Sequence, residues 1–171
     1  MEKGSFIELV SYFETLARQH VLIKHTDSKK HFFRFEINEA LTSLPSGMNY
    51  PCMIMEESSI TISDRRSDNP QKVRECGFML AGHVSDPGDF NFIHNLWDTL
   101  ESIGDDIIAR IRYDKRNYPS TPVRNLDMES IEATFFSSAR FPNLYGVHYS
   151  FKVESFFPSD MRHDRWKIDE D

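Results

Sequence analysis

Positive charge is in short supply. Lys and Arg number 20 against 27 Asp and Glu, a net charge of −7. Dedicated nucleic-acid binders usually carry the opposite surplus, so the composition argues against that class. Cysteine is scarcer still: only Cys52 and Cys76 occur. Two cysteines make no disulfide framework, and a zinc site needs more ligands at regular spacing. Each lies in an apolar run, where a free thiol behaves as a small hydrophobe, so both read as reduced, buried thiols in a cytosolic setting. No apolar run approaches ~18 residues, which excludes a membrane-spanning helix. Met1 to Ser5 has no basic stretch leading into an apolar core, so no signal peptide is expected. The 7 glycines are scattered. None builds the G-x-x-x-x-G-K phosphate loop, and no G-x-S-x-G, H-E-x-x-H, Cys-x-x-Cys or Glu-x-Lys motif occurs.

What is present is enough for one core. The chain has 171 residues, 39% hydrophobic, with 14 phenylalanines. This fits a single domain over residues 1–157, followed by a polar tail over 158–171. Phe6, Leu9, Val10, Phe13, Leu16 and Ala17 recur at helical spacing, and Ser5 with Glu8 reads as a capping box, so a helix is expected from Phe6 to about His20. Val21-Leu22-Ile23 fits either a continuation of that helix or the start of a strand. Asp27 to Lys30 reads as a turn, and Ile37, Leu41 and Leu44 suggest a short helix over Glu36 to Leu44, ended by Pro45-Ser46-Gly47. Cys52-Met53-Ile54-Met55 is continuously apolar, as in a strand covered on both faces. Ile60-Thr61-Ile62 and Cys76 to Val84 follow as strands. Between them Asp64 to Glu75 reads as a long exposed polar loop. Phe90, Ile93, Leu96, Trp97, Leu100, Ile103, Ile107 and Ile111 keep helical spacing after an Asp86 or Asp89 cap. Gly104, inside this helix, suggests close packing or a bend. Ile131 to Phe136 and Val147 to Val153 alternate as an antiparallel hairpin with one apolar and one wet face. The sum is an α+β domain: an antiparallel sheet with the N-terminal helix and one long helix on one face.

Chemistry-bearing patterns are few. Five- and six-residue steps between His20, His25 and His31 put no pair on one helical face. His83 and His148 both fall on strands and could share a sheet face, the seed of a hydrolase reading with a nearby acid. Asp105-Asp106 and Glu56-Glu57 are chain neighbours whose side chains diverge, so neither forms a dyad unaided. No catalytic, cofactor or metal residue is assigned. Arg110, Arg112, Lys115, Arg116 and Arg124 against Asp114 give a local +4. That is read as the cations a helix C-terminus favours rather than as a phosphate site, since no aromatic ladder is interleaved.

Contact surfaces are more suggestive. The candidates are Arg65, Arg66, Lys72 and Arg74 in the polar loop, and Arg140, Phe141, Leu144 and Tyr145 in the turn Ala139 to Gly146. Trp166 joins them, an apolar anchor in the tail. Deletion of Arg65 to Lys72 is expected to spare the fold and abolish assembly.

The layout as a whole resembles the tail terminator, or tail-completion, proteins of tailed bacteriophages and related head–tail connector components. The resemblance runs through several stretches. They are the helix Ser5 to His20, Tyr50-Pro51-Cys52-Met53-Ile54-Met55-Glu56, the loop Asp64 to Glu75 and the strand Cys76 to Val84. The helix Asp89 to Ile111 and the final strand Tyr145 to Val153 complete it. It implies a non-enzymatic virion protein without cofactors, a homo-oligomeric ring, commonly sixfold. Such a ring would cap the tail tube, contact tube and connector proteins and be assembled in the host cytoplasm. DNA would pass through it without sequence-specific binding. The segment Val21 to Phe35, the second short helix and the acidic end with Trp166 exceed a minimal member of that family. The alternative reading is a small cytosolic α+β adaptor using the wet hairpin face.

Overall fold

The computed structural model describes residues 5–35, 48–63, 70–137, 143–157 and 165–166. In chain order these form α1 (Phe6–Gln19), β1 (Phe32–Phe35), β2 (Cys52–Glu56), β3 (Ser59–Ser63) and β4 (Gln71–His83). Then come α2 (Phe90–Asn117), β5 (Leu126–Ser137) and β6 (Leu144–Phe156). The strands make one sheet in the order β1-β2-β4-β6-β5, with β3 paired to the first half of β4. Both helices pack on one face, so the α+β class expected from the sequence is the one observed.

α1 starts as its sequence prescribes. The Ser5 hydroxyl accepts from the Glu8 N–H, and the Glu8 carboxylate accepts from the Ser5 N–H at 3.1 Å. Leu9, Val10, Phe13, Leu16 and Ala17 are its buried stripe. The helix stops at Gln19, and 21–23 form a turn that is neither of the two alternatives. The turn buries Ile23 and exposes Val21 and Leu22. α2 is capped by Asp89, which accepts from the Phe92 N–H at 2.9 Å, and runs for 28 residues. Leu100, Ile103, Ile107 and Ile111 face the sheet, where they meet Phe78, Leu80, Val147, Tyr149 and Phe151. Gly104 does not bend the helix open; it admits Tyr149. A Cβ there would lie 2.0 Å from the Tyr149 hydroxyl oxygen.

β2 is buried along its whole length, as its unbroken apolar run requires. Met53 and Met55 join the helix-side core. Cys52 and Ile54 point the other way, into a second cluster with Phe33, Ala81 and Leu144. Both thiols are free and buried, and desolvation pushes each up to about 12.

Four expectations change. β1 was not legible, and it pairs parallel to β2, so the sheet is mixed rather than purely antiparallel. The polar stretch Asp64 to Glu75 is not all loop: Gln71 to Glu75 extend β4, pairing with β3 on one side and β6 on the other. The hairpin turn is shorter than Ala139 to Gly146, because β6 begins at Leu144. On β5 the apolar alternation is largely uncovered: Ala133 and Phe135 are exposed, and the strand lies at the sheet edge. A register shift between Asp127 and Glu132 interrupts its pairing with β6. There Ser130 Oγ accepts from the Lys152 N–H and donates to the Asp127 carbonyl. The short helix over Glu36 to Leu44 and most of the tail lie outside the described residues.

Candidate functional site

The most organised polar group lies on the sheet face opposite the helices. Glu56 sits at the end of β2, one step beyond the Met55–Phe78 pair, beside Gly77 of β4. His148 of β6 pairs with Met79, two residues further along β4. Alternation places all three on one face. His148 Nε2 lies 3.0 Å from Glu56 Oε2. The Glu56 side chain is buried, while that of His148 is 32% exposed. A Cβ on Gly77 would be 2.4 Å from Glu56 Oε2 and 2.9 Å from His148 Nε2. The glycine therefore leaves the gap through which the two outer strands meet. The hydrogen bond to the Glu56 carboxylate, aided by its charge, holds the imidazole above its ordinary value, although burial opposes the shift.

This pair is an acid–base couple, and among the described residues no nucleophile is in hydrogen-bond contact with it. His83 does share the face, but it lies four residues along β4 from the partner of His148, ~13 Å away at strand rise. It stacks on Tyr50 instead, with ring centroids 5.8 Å apart. The other histidines are dispersed. His20 approaches Asp106 at 3.3 Å, and His31 Nδ1 lies 2.7 Å from the Pro51 carbonyl. His25 is buried, its Nδ1 accepting the backbone N–H groups of His31 and Phe32. Among the described residues no group of three or more His, Cys, Asp or Glu side chains is placed to hold a metal ion.

The described contact candidates do not converge. Arg65, Arg66, Arg140 and Phe141 lie outside the described residues. Lys72 is half-buried within β4. Arg74 is buried on the helix face, donating to Ser58 Oγ at 2.7 Å with its guanidinium over the Phe6 ring. Leu144 is buried in the second apolar cluster, and Tyr145 packs edge-on against Trp97. These side chains spend their surface inside the subunit because their segments are strand, not loop. Deleting Arg65 to Lys72 would also remove Gln71 and Lys72 from the β4 ladder. Among the described apolar candidates Trp166 alone is open, at 65% exposure.

Open apolar surface on two edge strands comes from other residues. Ile60 and Ile62 of β3 are 46% and 52% exposed, and Phe135 of β5 is 45% exposed. They stand on strands at opposite edges of the sheet. The alternation of Ile60 and Ile62 was visible in the sequence; that nothing described covers them was not. No protein-family model matches this chain, and no curated protein matches it.

Proposed function

We propose that this chain is a ring-forming structural subunit of a bacteriophage tail, a tail terminator or head–tail connector component. One observation carries the reading: two non-equivalent edges of a single sheet each present uncovered apolar side chains, Ile60 and Ile62 on β3 and Phe135 on β5. An open edge offers unpaired backbone groups to a neighbour. Fully burying an exposed side chain of this kind contributes about 1.5–3 kcal/mol, and these three, each about half exposed, leave part of that gain to a neighbour that covers them. Different patches on opposite sides suit a heterologous, head-to-tail contact, which generates a closed ring when its rotation closes. The α+β layout and the sequence resemblance agree with a tube-capping ring, and the net charge of −7 agrees with a bore that DNA traverses without tight phosphate contact.

The test is solution mass across a concentration series, with negative-stain images, for the native chain and for Ile60→Lys and Phe135→Lys. Both substitutions are at exposed positions, so circular dichroism should be unchanged. The native chain is expected to form a closed species of about six or twelve copies. Each variant alone should fail to form it. An equimolar mixture of the two should stop at pairs, because only one intact interface can form. A dimer lost with Ile60→Lys but kept with Phe135→Lys would indicate an isologous contact and overturn the ring. A native chain that stays monomeric throughout, including in the presence of tail-tube ends, would do the same and favour an adaptor using the wet face of β6.

A further inference from the structure

The last turns of α2 and the chain beyond it gather more positive charge than a helix terminus calls for. Arg112, Lys115 and Arg116 come from the helix, and Arg124 arrives from the turn that follows. With Met128 they line one open depression of about 660 Å³. Lys115 Nζ donates to the Leu126 carbonyl, and Arg124 donates to the Lys115 carbonyl; neither bond neutralises a charge. None of the four forms an ion pair with a described carboxylate, whereas Arg110 on the same helix is bound to Asp114 at 2.9 Å. Without these four cations the chain would stand at −7 − 4 = −11, so the cluster runs against the composition. Like charges at i and i+4, as at Arg112 and Arg116, repel, and the field they make attracts an anion.

Aromatic surface adjoins the cluster. An adjacent depression shares Arg112, Arg116 and Met128 and adds Tyr113. Tyr113 and Tyr118 are 54% and 50% exposed and meet edge-to-face, their centroids 6.1 Å apart. Both rings stand among the cations along the chain, Tyr113 directly after Arg112 and Tyr118 just after Arg116-Asn117, so exposed aromatic surface is interleaved with the charge after all. Asp105 borders the tyrosine side, and Asp127 and Glu154 border the far side of Lys115 and Arg124. These acids confine the patch to a short stretch of ligand.

We propose that this patch binds the phosphodiester backbone of nucleic acid without sequence preference. Arg112, Lys115, Arg116 and Arg124 take phosphates, and Tyr113 and Tyr118 offer faces to unpaired bases. Guanidinium and ammonium groups on phosphates with bases stacked on exposed rings are the chemistry of single-strand binding. The assignment stands apart from the ring reading, because the patch lies within one subunit.

The test is fluorescence anisotropy of the full chain with a labelled oligothymidylate of about twelve nucleotides and with a duplex of equal length, from about 50 to 300 mM salt. Four phosphate contacts predict a slope of log K against log salt of about −2.8 for the single strand. Arg112→Glu with Arg116→Glu should weaken binding at least tenfold and flatten the slope, with the melting temperature kept. Tyr113→Ala with Tyr118→Ala should weaken the single strand more than the duplex. No binding at the lowest salt, or binding unchanged by the double charge reversal, overturns the proposal. So does a glutamate oligomer of equal charge that competes as well as the oligonucleotide. Equal loss of single strand and duplex on tyrosine removal overturns the stacking role.

Discussion

Glu56 and His148 come from strands that do not pair with each other, and they meet over Gly77 of the strand between them, Oε2 and Nε2 3.0 Å apart. The buried carboxylate has the half-exposed imidazole as its cationic partner, so the pair is expected to write a pH dependence into stability.

The hydrogen bond that His148 donates to Glu56 raises the imidazole above its ordinary value near 6.5. Its stabilising contribution is complete below that value and is lost as pH rises through the higher folded value. Thermal melts from pH 5 to 9 should therefore show a decline on the alkaline side that His148→Gln lacks. Truncation by His148→Ala should cost about 1–3 kcal/mol near pH 6, since it leaves Glu56 buried without its partner. A flat difference between native and variant across pH would refute the linkage.

Gly77→Ala tests the gap itself. The new methyl would sit 2.4 Å from Glu56 Oε2, so the pair must part or β4 must shift. The expected loss is about 1–3 kcal/mol, the usual range for overpacking. In NMR titration the His148 ring should move back toward an unpaired value. An unmoved titration with full stability would show that the pair does not need the glycine.

His25 has the opposite sign. Burial, with Arg18 adding to it, lowers its pKa, and Nδ1 accepts two backbone N–H groups that a protonated nitrogen cannot accept. Its contribution is present above about 6.5 and is lost as pH falls through that value toward the lower folded one. Amide exchange at His31 and Phe32 should quicken on acidification ahead of the rest of β1. Unchanged protection at those two amides down to pH 5 would contradict it.

Gly104→Ala sets a Cβ 2.0 Å from the Tyr149 hydroxyl, whose ring also stacks on Phe78 at 4.9 Å. The helix gain from alanine, about 1 kcal/mol, is outweighed by the clash, so net destabilisation of at least about 1–3 kcal/mol is expected in urea melts. Tyr149→Leu in the same chain should restore part of the loss. Simple additivity of the two changes would show that the contact is not what Gly104 serves.

Local signals were legible where a segment's neighbours are its own residues. The Ser5–Glu8 cap, the stripes of α1 and α2 and the continuous apolar run of β2 each follow from side-chain periodicity and were readable in order along the chain. β1 was not: four residues of Phe-Phe-Arg-Phe carry too little period, and only docking beside β2 makes them a strand. Polar residues Gln71 to Glu75 read as loop because their solvent-facing composition hides a ladder supplied by β3 and β6. For the same reason Arg74 and Leu144, expected at a surface, are inside.

The sequence by itself thus determined the class of fold, the two helices and the cap that begins the first, because hydrogen bonding and amphipathicity within a segment are local. Only the tertiary structure decided which residues share a face. It alone brought residues 92 positions apart into the Glu56–His148 pair and left Ile60, Ile62 and Phe135 uncovered. Those relations depend on strand order and register, which are set by how the whole chain buries its apolar surface and not by the residues that meet.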